Sequence, residues 1–164
     1  MTQPRAIILS GHGLNCERET AFALQQAGAT TEIHHINDLA NNAAALSDAQ
    51  ILAVPGGFSF GDHLGAGKAL ANRLADQLSD RFARFMERED HLAIGICNGC
   101  QMLSQLRELI PQAEHWPSFV RNRSEQFEGR VVMVCIEDNA SPWLNDMAGS
   151  VIPVAIAHGE GRAE

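Results

Sequence analysis

Short apolar runs alternate with amphipathic stretches along most of this chain. Ala6-Ile7-Ile8-Leu9 ends at Ser10-Gly11-His12-Gly13, and Asn15 then opens a stretch through Thr20-Ala21-Phe22-Ala23-Leu24 that stops at Gly28. This is the pattern of a strand, a turn and a helix. Residues 30–34 give a short second strand and residues 39–46 a short helix, and Ile51-Leu52-Ala53-Val54 is a buried strand ending at Pro55-Gly56-Gly57. A Gly-rich loop over residues 58–67 precedes a long helix, in which Leu70, Leu74, Leu78, Phe82 and Phe85 recur at the spacing of one buried stripe. Leu92-Ala93-Ile94-Gly95-Ile96 is the next strand and runs without a linker into Cys97. Met102, Leu103, Leu106, Leu109 and Ile110 mark a helix ended by Pro111.

Repeated strand-helix units with nearly continuous apolar strands predict an α/β fold, a doubly wound, mostly parallel sheet with helices on both faces. Beyond Trp116-Pro117 the pattern changes. Residues 119–123, 127–136 and 151–157 read as antiparallel or edge strands, with a short helical stretch near Pro142-Trp143-Leu144. No repeat, low-complexity stretch or composition shift divides the chain, so residues 1–164 read as one domain, and no closing helix follows the last strand.

Composition narrows the function classes. With a net charge of −8 and 12 scattered Lys and Arg residues, the chain offers no surface that would track a phosphate backbone, so nucleic acid is not an expected ligand. No run approaches the roughly 18 apolar residues of a membrane span and no signal-peptide core precedes the first strand, which reads as cytoplasmic. Cysteines at 16, 97, 100 and 135 supply one Cys-x-x-Cys and no second pair, so neither structural zinc nor a disulfide framework is expected. His12, His34, His35, His63, His91 and His115 lack ligand spacing, and Glu17 and Glu19 suit the first turn of a helix. No metal site is predicted.

The candidate chemistry centres on Cys97. It lies between a strand and a helix, with Gly95 and Gly99 two residues away on either side. Small neighbours permit the sharp turn that lifts a nucleophile above a sheet edge. Unpaired N–H groups and the dipole at a helix start favour thiolate over thiol, and the same groups can stabilise an oxyanion. A buried, inert thiol is the commoner fate of a free cysteine, but the carboxyl end of a central strand faces the ligand crevice of open α/β sheets. A redox role for Cys97-Asn98-Gly99-Cys100 is the competing chemistry; such motifs usually follow the first strand of a small core.

Gly95-x-Cys97-x-Gly99-x-Gln101 resembles the nucleophile motif of the class I, or triad, glutamine amidotransferases, and Pro55-Gly56-Gly57 resembles their oxyanion loop. The run Gly56-Gly57-Phe58-Ser59-Phe60-Gly61-Asp62, the segments Leu106-Arg107-Glu108-Leu109-Ile110-Pro111 and Trp116-Pro117-x-Phe119-Val120-Arg121-Asn122, and His158-Gly159-Glu160-Gly161-Arg162 follow in order. Together they resemble the glutaminase portion of the phosphoribosylformylglycinamidine synthases over essentially the whole chain.

The resemblance implies a flavodoxin-like α/β fold and a glutaminase in which Cys97 attacks the side-chain amide of L-glutamine. Ammonia then passes to a formylglycinamide ribonucleotide synthetase partner. It implies no cofactor in this domain, with ATP and magnesium on the partner. The oxyanion donors would be the backbone N–H groups of Gly57, Phe58 and Asn98, and the substrate contacts Gln101, Asn122 and Ser124. The family's Pro-His-Pro-Glu segment, which completes its triad, does not occur before Glu164. By resemblance the chain lacks the family's C-terminal segment, and His158 and Glu160, with the same His-x-Glu spacing, are the candidates left for that role. An elbow-cysteine hydrolase or chaperone of similar fold, and a catalytically incomplete module that docks on the synthetase, are the alternatives.

Overall fold

A parallel sheet carries the core. In a computed structural model that describes residues 3–164, β1 (Arg5–Ser10), β2 (Thr30–His35), β3 (Ile51–Val54) and β4 (Leu92–Gly95) pair in the order β2-β1-β3-β4. Every pairing in this sheet is parallel. The interior of β1 and all of β3 are buried, as nearly continuous apolar strands require when helices cover both faces.

The intervening helices are α1 (Glu17–Gln26), α2 (Ile36–Asn41), α3 (Ala43–Ser47), α4 (Lys68–Met86) and α5 (Asn98–Gln105). Side chains alternate across a strand, so Ile7 and Leu9 face one side and Ala6 and Ile8 the other. Ile7 and Leu9 join a cluster with Leu70, Leu74 and Phe82 of α4 and Met102 of α5. On the opposite side, α1 buries Thr20, Ala21 and Leu24 beside β1 and β2. The stripe read from α4 is the buried one: Leu70, Leu74, Leu78, Phe82 and Phe85 are all buried. Each such side chain contributes about 1.5–3 kcal/mol on burial.

Two helices differ from the sequence reading. The single helix expected over residues 39–46 is two short helices broken at Asn42, whose φ of −111° and ψ of 86° lie outside the helical region. Asn competes with helical bonding through its own side chain, which favours such a break. The helix expected to run from near Asn98 until Pro111 stops it ends at Gln105, and a tighter turn, Arg107–Leu109, follows. The Leu106 N–H is shared between the carbonyls of Met102 and Leu103, at 3.2 and 3.0 Å, which is how a helix tightens at its end.

The chain divides into two compact units, the first running through Phe119 together with Glu164 and the second spanning Val120–Ala163. The physical reason is that β6 (Glu128–Cys135) and β7 (Val151–His158) pair with each other, Glu128 opposite His158 and Cys135 opposite Val151, so the second unit closes on itself. The segment expected as a strand over 119–123 is only β5 (Phe119–Val120), and the final strand is β8 (Arg162–Ala163). Around Pro142 there are turns in place of the expected helical stretch, with the Leu144 N–H donating to the Ser141 carbonyl at 3.1 Å. Among the described residues no helix is long and apolar enough to cross a membrane.

Phe82 is fully buried between the sheet and its own helix's neighbours. Phe82→Ala is expected to lower unfolding free energy by about 3–5 kcal/mol, measured by urea denaturation.

Candidate active site

At the carboxyl end of β4 the chain turns abruptly. The Ile96 N–H still donates to the Val54 carbonyl at 2.9 Å, extending the ladder one residue beyond the strand. Cys97 then takes φ 53° and ψ −112°, a region non-glycine residues rarely occupy, and its carbonyl accepts the N–H groups of Cys100 and Gln101 at 3.0 and 3.2 Å. Such a conformation costs on the order of 1–3 kcal/mol and persists only where surroundings enforce it. The surroundings here are backbone: a Cβ on Gly99 would overlap the Val54 carbonyl oxygen, so α5 approaches the end of β3 more closely than any side chain permits. Cys97 is exposed at the start of α5, and Asn98, the first residue of that helix, has no intrahelical acceptor for its N–H.

Opposite the cysteine lies the loop after β3. Its Pro55-Gly56-Gly57 segment is held by the loop between β1 and α1: the Asn15 N–H donates to the Gly56 carbonyl at 3.2 Å, and the Phe58 N–H to the Gly13 carbonyl at 2.8 Å. Gly57 has φ 151°, and a Cβ there would overlap the Gly13 carbonyl oxygen. The N–H of Phe58, expected among the oxyanion donors, is thus already committed to Gly13, because one N–H serves one acceptor well. Of the three expected donors, Gly57 and Asn98 keep this role available. Gly56 brings the elbow and the first helix together: the position of its missing Cβ lies 3.2 Å from the Cys97 Cβ and 3.8 Å from the Cys16 Sγ.

The Gly-rich loop is joined to the elbow through a buried amide. Asn98, 1% exposed, accepts the Ser59 N–H on Oδ1 at 3.1 Å. Its Nδ2 donates to Asp62 Oδ1 and Oδ2 at 3.1 and 3.3 Å, and to Gln101 Oε1 at 3.1 Å. Asp62 Oδ1 also accepts the Gly67 N–H at 3.2 Å. Gln101, expected at the substrate, is buried one turn into α5 beside this network.

The thiols near Cys97 are shifted away from ionisation. Burial, then Glu19, the Cys97 charge and Glu17 push the Cys16 thiol up; burial and then Cys97 do the same for Cys100. Cys100 lines an apolar pocket of about 350 Å³ with Ala93, Leu103, Trp116 and Phe119.

In the second unit, Asn122 has a different task from the substrate contact expected of it. It is buried, its Nδ2 donates to the carbonyls of Gln126 and His158 at 3.0 and 2.8 Å, and its Oδ1 accepts the Gly161 N–H at 3.1 Å. The same oxygen lies 2.9 Å from His158 Nδ1, so both lone pairs and both donors are engaged within the loop. Since Nδ2 is spoken for by two carbonyls, Oδ1 is the acceptor and His158 donates its Nδ1–H to it. The acidic orienter expected at Glu160 is, on this nitrogen, the Asn122 amide. Ser124 is exposed and donates to Glu128 Oε1 at 2.7 Å. Among the described residues no three His, Cys, Asp or Glu side chains converge as metal ligands.

Residues 3–164 match the family described as the CobB/CobQ-like glutamine amidotransferase domain. The chain belongs to this family. It is also similar to the solved structure of PurLQS from Thermotoga maritima, at 29% identity and a TM-score of 0.78, over 99% of this chain and 70% of that one. Within the amidotransferase domain, tertiary structure therefore brings Cys97, Gly57, Asn98 and Gln101 to one end of the parallel sheet. The sequence reading did not anticipate the Asn98 side chain or Cys16 as parts of that neighbourhood, nor Asp62 as the partner of Asn98. A polar residue at the first position of a helix was the available signal for Asn98; nothing local pointed to Cys16, which reaches the site from a different loop.

Gly99→Ala in the amidotransferase domain forces α5 off β3. It is expected to lower stability by about 1–3 kcal/mol or more, measured by thermal unfolding, and to remove glutamine hydrolysis with it.

Proposed function

We propose that this amidotransferase domain is the ammonia-producing part of a phosphoribosylformylglycinamidine synthase, with Cys97 as the nucleophile. The observation that carries the chemical part is the strained Cys97 turn packed against Gly56 of the Pro55-Gly56-Gly57 loop, with the first N–H of α5 beside it. The ordered motifs from Gly56 to Arg162 and the likeness to PurLQS support the pathway.

The Cys97 thiolate attacks the side-chain carbonyl carbon of L-glutamine, and the oxygen, now negatively charged, takes hydrogen bonds from the Gly57 and Asn98 N–H groups. Donors fixed in advance at such a position contribute on the order of 10²–10³ in rate each. The C–N bond then breaks and ammonia leaves with an added proton. Water hydrolyses the glutamyl thioester, giving glutamate and restoring the thiol. Gln101 lines the glutamine pocket, and Ser124, at an exposed position, is a candidate for the substrate's α-substituents. The synthetase component holds ATP and magnesium and consumes the ammonia, and the whole enzyme works in the cytoplasm.

The acid/base role has one His-x-Glu candidate within these residues, His158 with Glu160. With Nδ1 held by the Asn122 amide, Nε2 is the nitrogen left for a base, a role contributing typically about 10²–10⁴-fold. His158→Asn is expected to lower kcat by about 10²-fold if His158 fills that role. An unchanged kcat, measured as glutamate release, would assign the base to another residue.

Treatment with a glutamine-analogue electrophile should label Cys97 and abolish glutamine hydrolysis, and Cys97→Ser should neither be labelled nor release ammonia. Labelling at Cys16, Cys100 or Cys135 with Cys97 untouched, read by peptide mass spectrometry, would sink the assignment.

A further inference from the structure

We infer that Asp62 is a positioning residue for the oxyanion site: through the Asn98 side chain, its carboxylate fixes the Asn98 backbone N–H relative to the loop that carries Gly57. The inference rests on the roles proposed above for Cys97, Gly57 and Asn98, and concerns what holds those groups in register.

The geometry leaves the Asn98 amide one orientation. Its Oδ1 meets an N–H donor, that of Ser59, while its Nδ2 meets three acceptor oxygens, two on Asp62 and one on Gln101. Reversing the amide would set oxygen against oxygen and N–H against N–H. The carboxylate is the charged member of the set, and hydrogen bonds to a charged acceptor are shorter and about twice as strong as neutral ones. Asp62 also ties the middle of its own loop to its far end, since it accepts the Gly67 N–H immediately before α4.

The loop has a reason to need such a tie. Phe60, Gly61 and Asp62 have φ values of 53°, 68° and 53°, three consecutive residues in left-handed backbone, two of them not glycine. Asn and Asp tolerate that region better than other side-chain-bearing residues, whereas Phe does not. A strained loop without a lock would relax, and the peptides on either side would move with it. One side leads back through Ser59 and Phe58 to Gly57, and the other reaches Asn98 across the bond to Asp62. The Ser59 N–H bond to Asn98 Oδ1 is the short polar link between the two expected donors, and the Asp62 carboxylate, holding Asn98 Nδ2, keeps the amide turned so that this link is made. A misplacement of the donors by a fraction of an ångström weakens the interaction with a developing oxyanion while leaving the thiolate untouched.

Two reactions of the same cysteine separate this role from a merely structural one. Glutamine hydrolysis builds an oxyanion; alkylation of Cys97 by iodoacetamide displaces iodide at a tetrahedral carbon and builds none. Asp62→Asn keeps a residue suited to positive φ but sets an N–H group against Asn98 Nδ2. In the enzyme with its synthetase component present, kcat for glutamine hydrolysis should fall by about tenfold or more, short of the 10²–10³ of losing a donor outright. The KM for glutamine should move less than about threefold, and the alkylation rate of Cys97 should hold within about twofold. The exchanged pair, Asp62→Asn with Asn98→Asp, restores a carboxylate-amide contact with the charge on the other side and should recover part of kcat. It also provides the measurement should the single variant fail to fold. An unchanged kcat in Asp62→Asn overturns the inference, as does an equal fall in hydrolysis and alkylation, or an exchanged pair that folds without recovering kcat. Cys97→Ser assayed alongside keeps the two readings apart, since its loss of activity bears on the nucleophile and the ratio of the two rates bears on Asp62.

Discussion

The close approach of α5 to the end of β3 is the contact on which the site depends. Because Gly99 has no side chain, its backbone packs where a Cβ would overlap the Val54 carbonyl oxygen, and the helix starts as soon as β4 ends. Cys97 is left to make the whole change of direction, which accounts for its φ of 53°. The strain at this residue is balanced by ordinary packing elsewhere, chiefly the α4 stripe and the fully buried β3. A rigid sheet supplies the anvil, and the helix start leaves its first N–H group next to the cysteine without an intrahelical acceptor.

The loops beside the cysteine are then locked to one another and to α5 by hydrogen bonds rather than by apolar contact. The β1–α1 loop takes the Phe58 N–H and gives Asn15 to Gly56; the Gly-rich loop gives Ser59 to Asn98 and takes Asn98 through Asp62. This arrangement fixes peptides whose directions matter for binding negative charge, and apolar packing, being non-directional, would not do so. The same logic explains the commitment of Phe58 to Gly13, because a loop in left-handed backbone has to satisfy its own N–H groups before it serves a ligand. In the second unit, Asn122 performs a comparable task by saturating its amide within the segment that carries His158.

Much of the fold was legible because its signals are local and periodic. The continuous apolar runs of β1 and β3, the stripe from Leu70 to Phe85 and the Gly95-Ile96-Cys97 junction each announce themselves within a few residues. Breaks were harder to read. Asn42 splits one expected helix in two, and the doubly shared Leu106 N–H ends another at Gln105, since competition between alternative hydrogen bonds leaves apolar spacing unchanged. The turns around Pro142 were mistaken for a helix because a short apolar cluster has no distinguishing period. Division into two units was also invisible, as composition does not change at Val120 while the pairing partners do.

By itself the sequence determined the parallel α/β core, the glycine-flanked cysteine at the end of a strand and the family to which those motifs point, since each is written in neighbouring residues. Tertiary structure alone decided which N–H groups remain available around Cys97, that Cys16 lies beside Gly56, that Asp62 grips Asn98, and that the Asn122 amide is spent on His158 and its loop. Hydrogen-bond partners across 36 or more residues depend on how loops approach in space, and a chain read one window at a time carries no record of that approach.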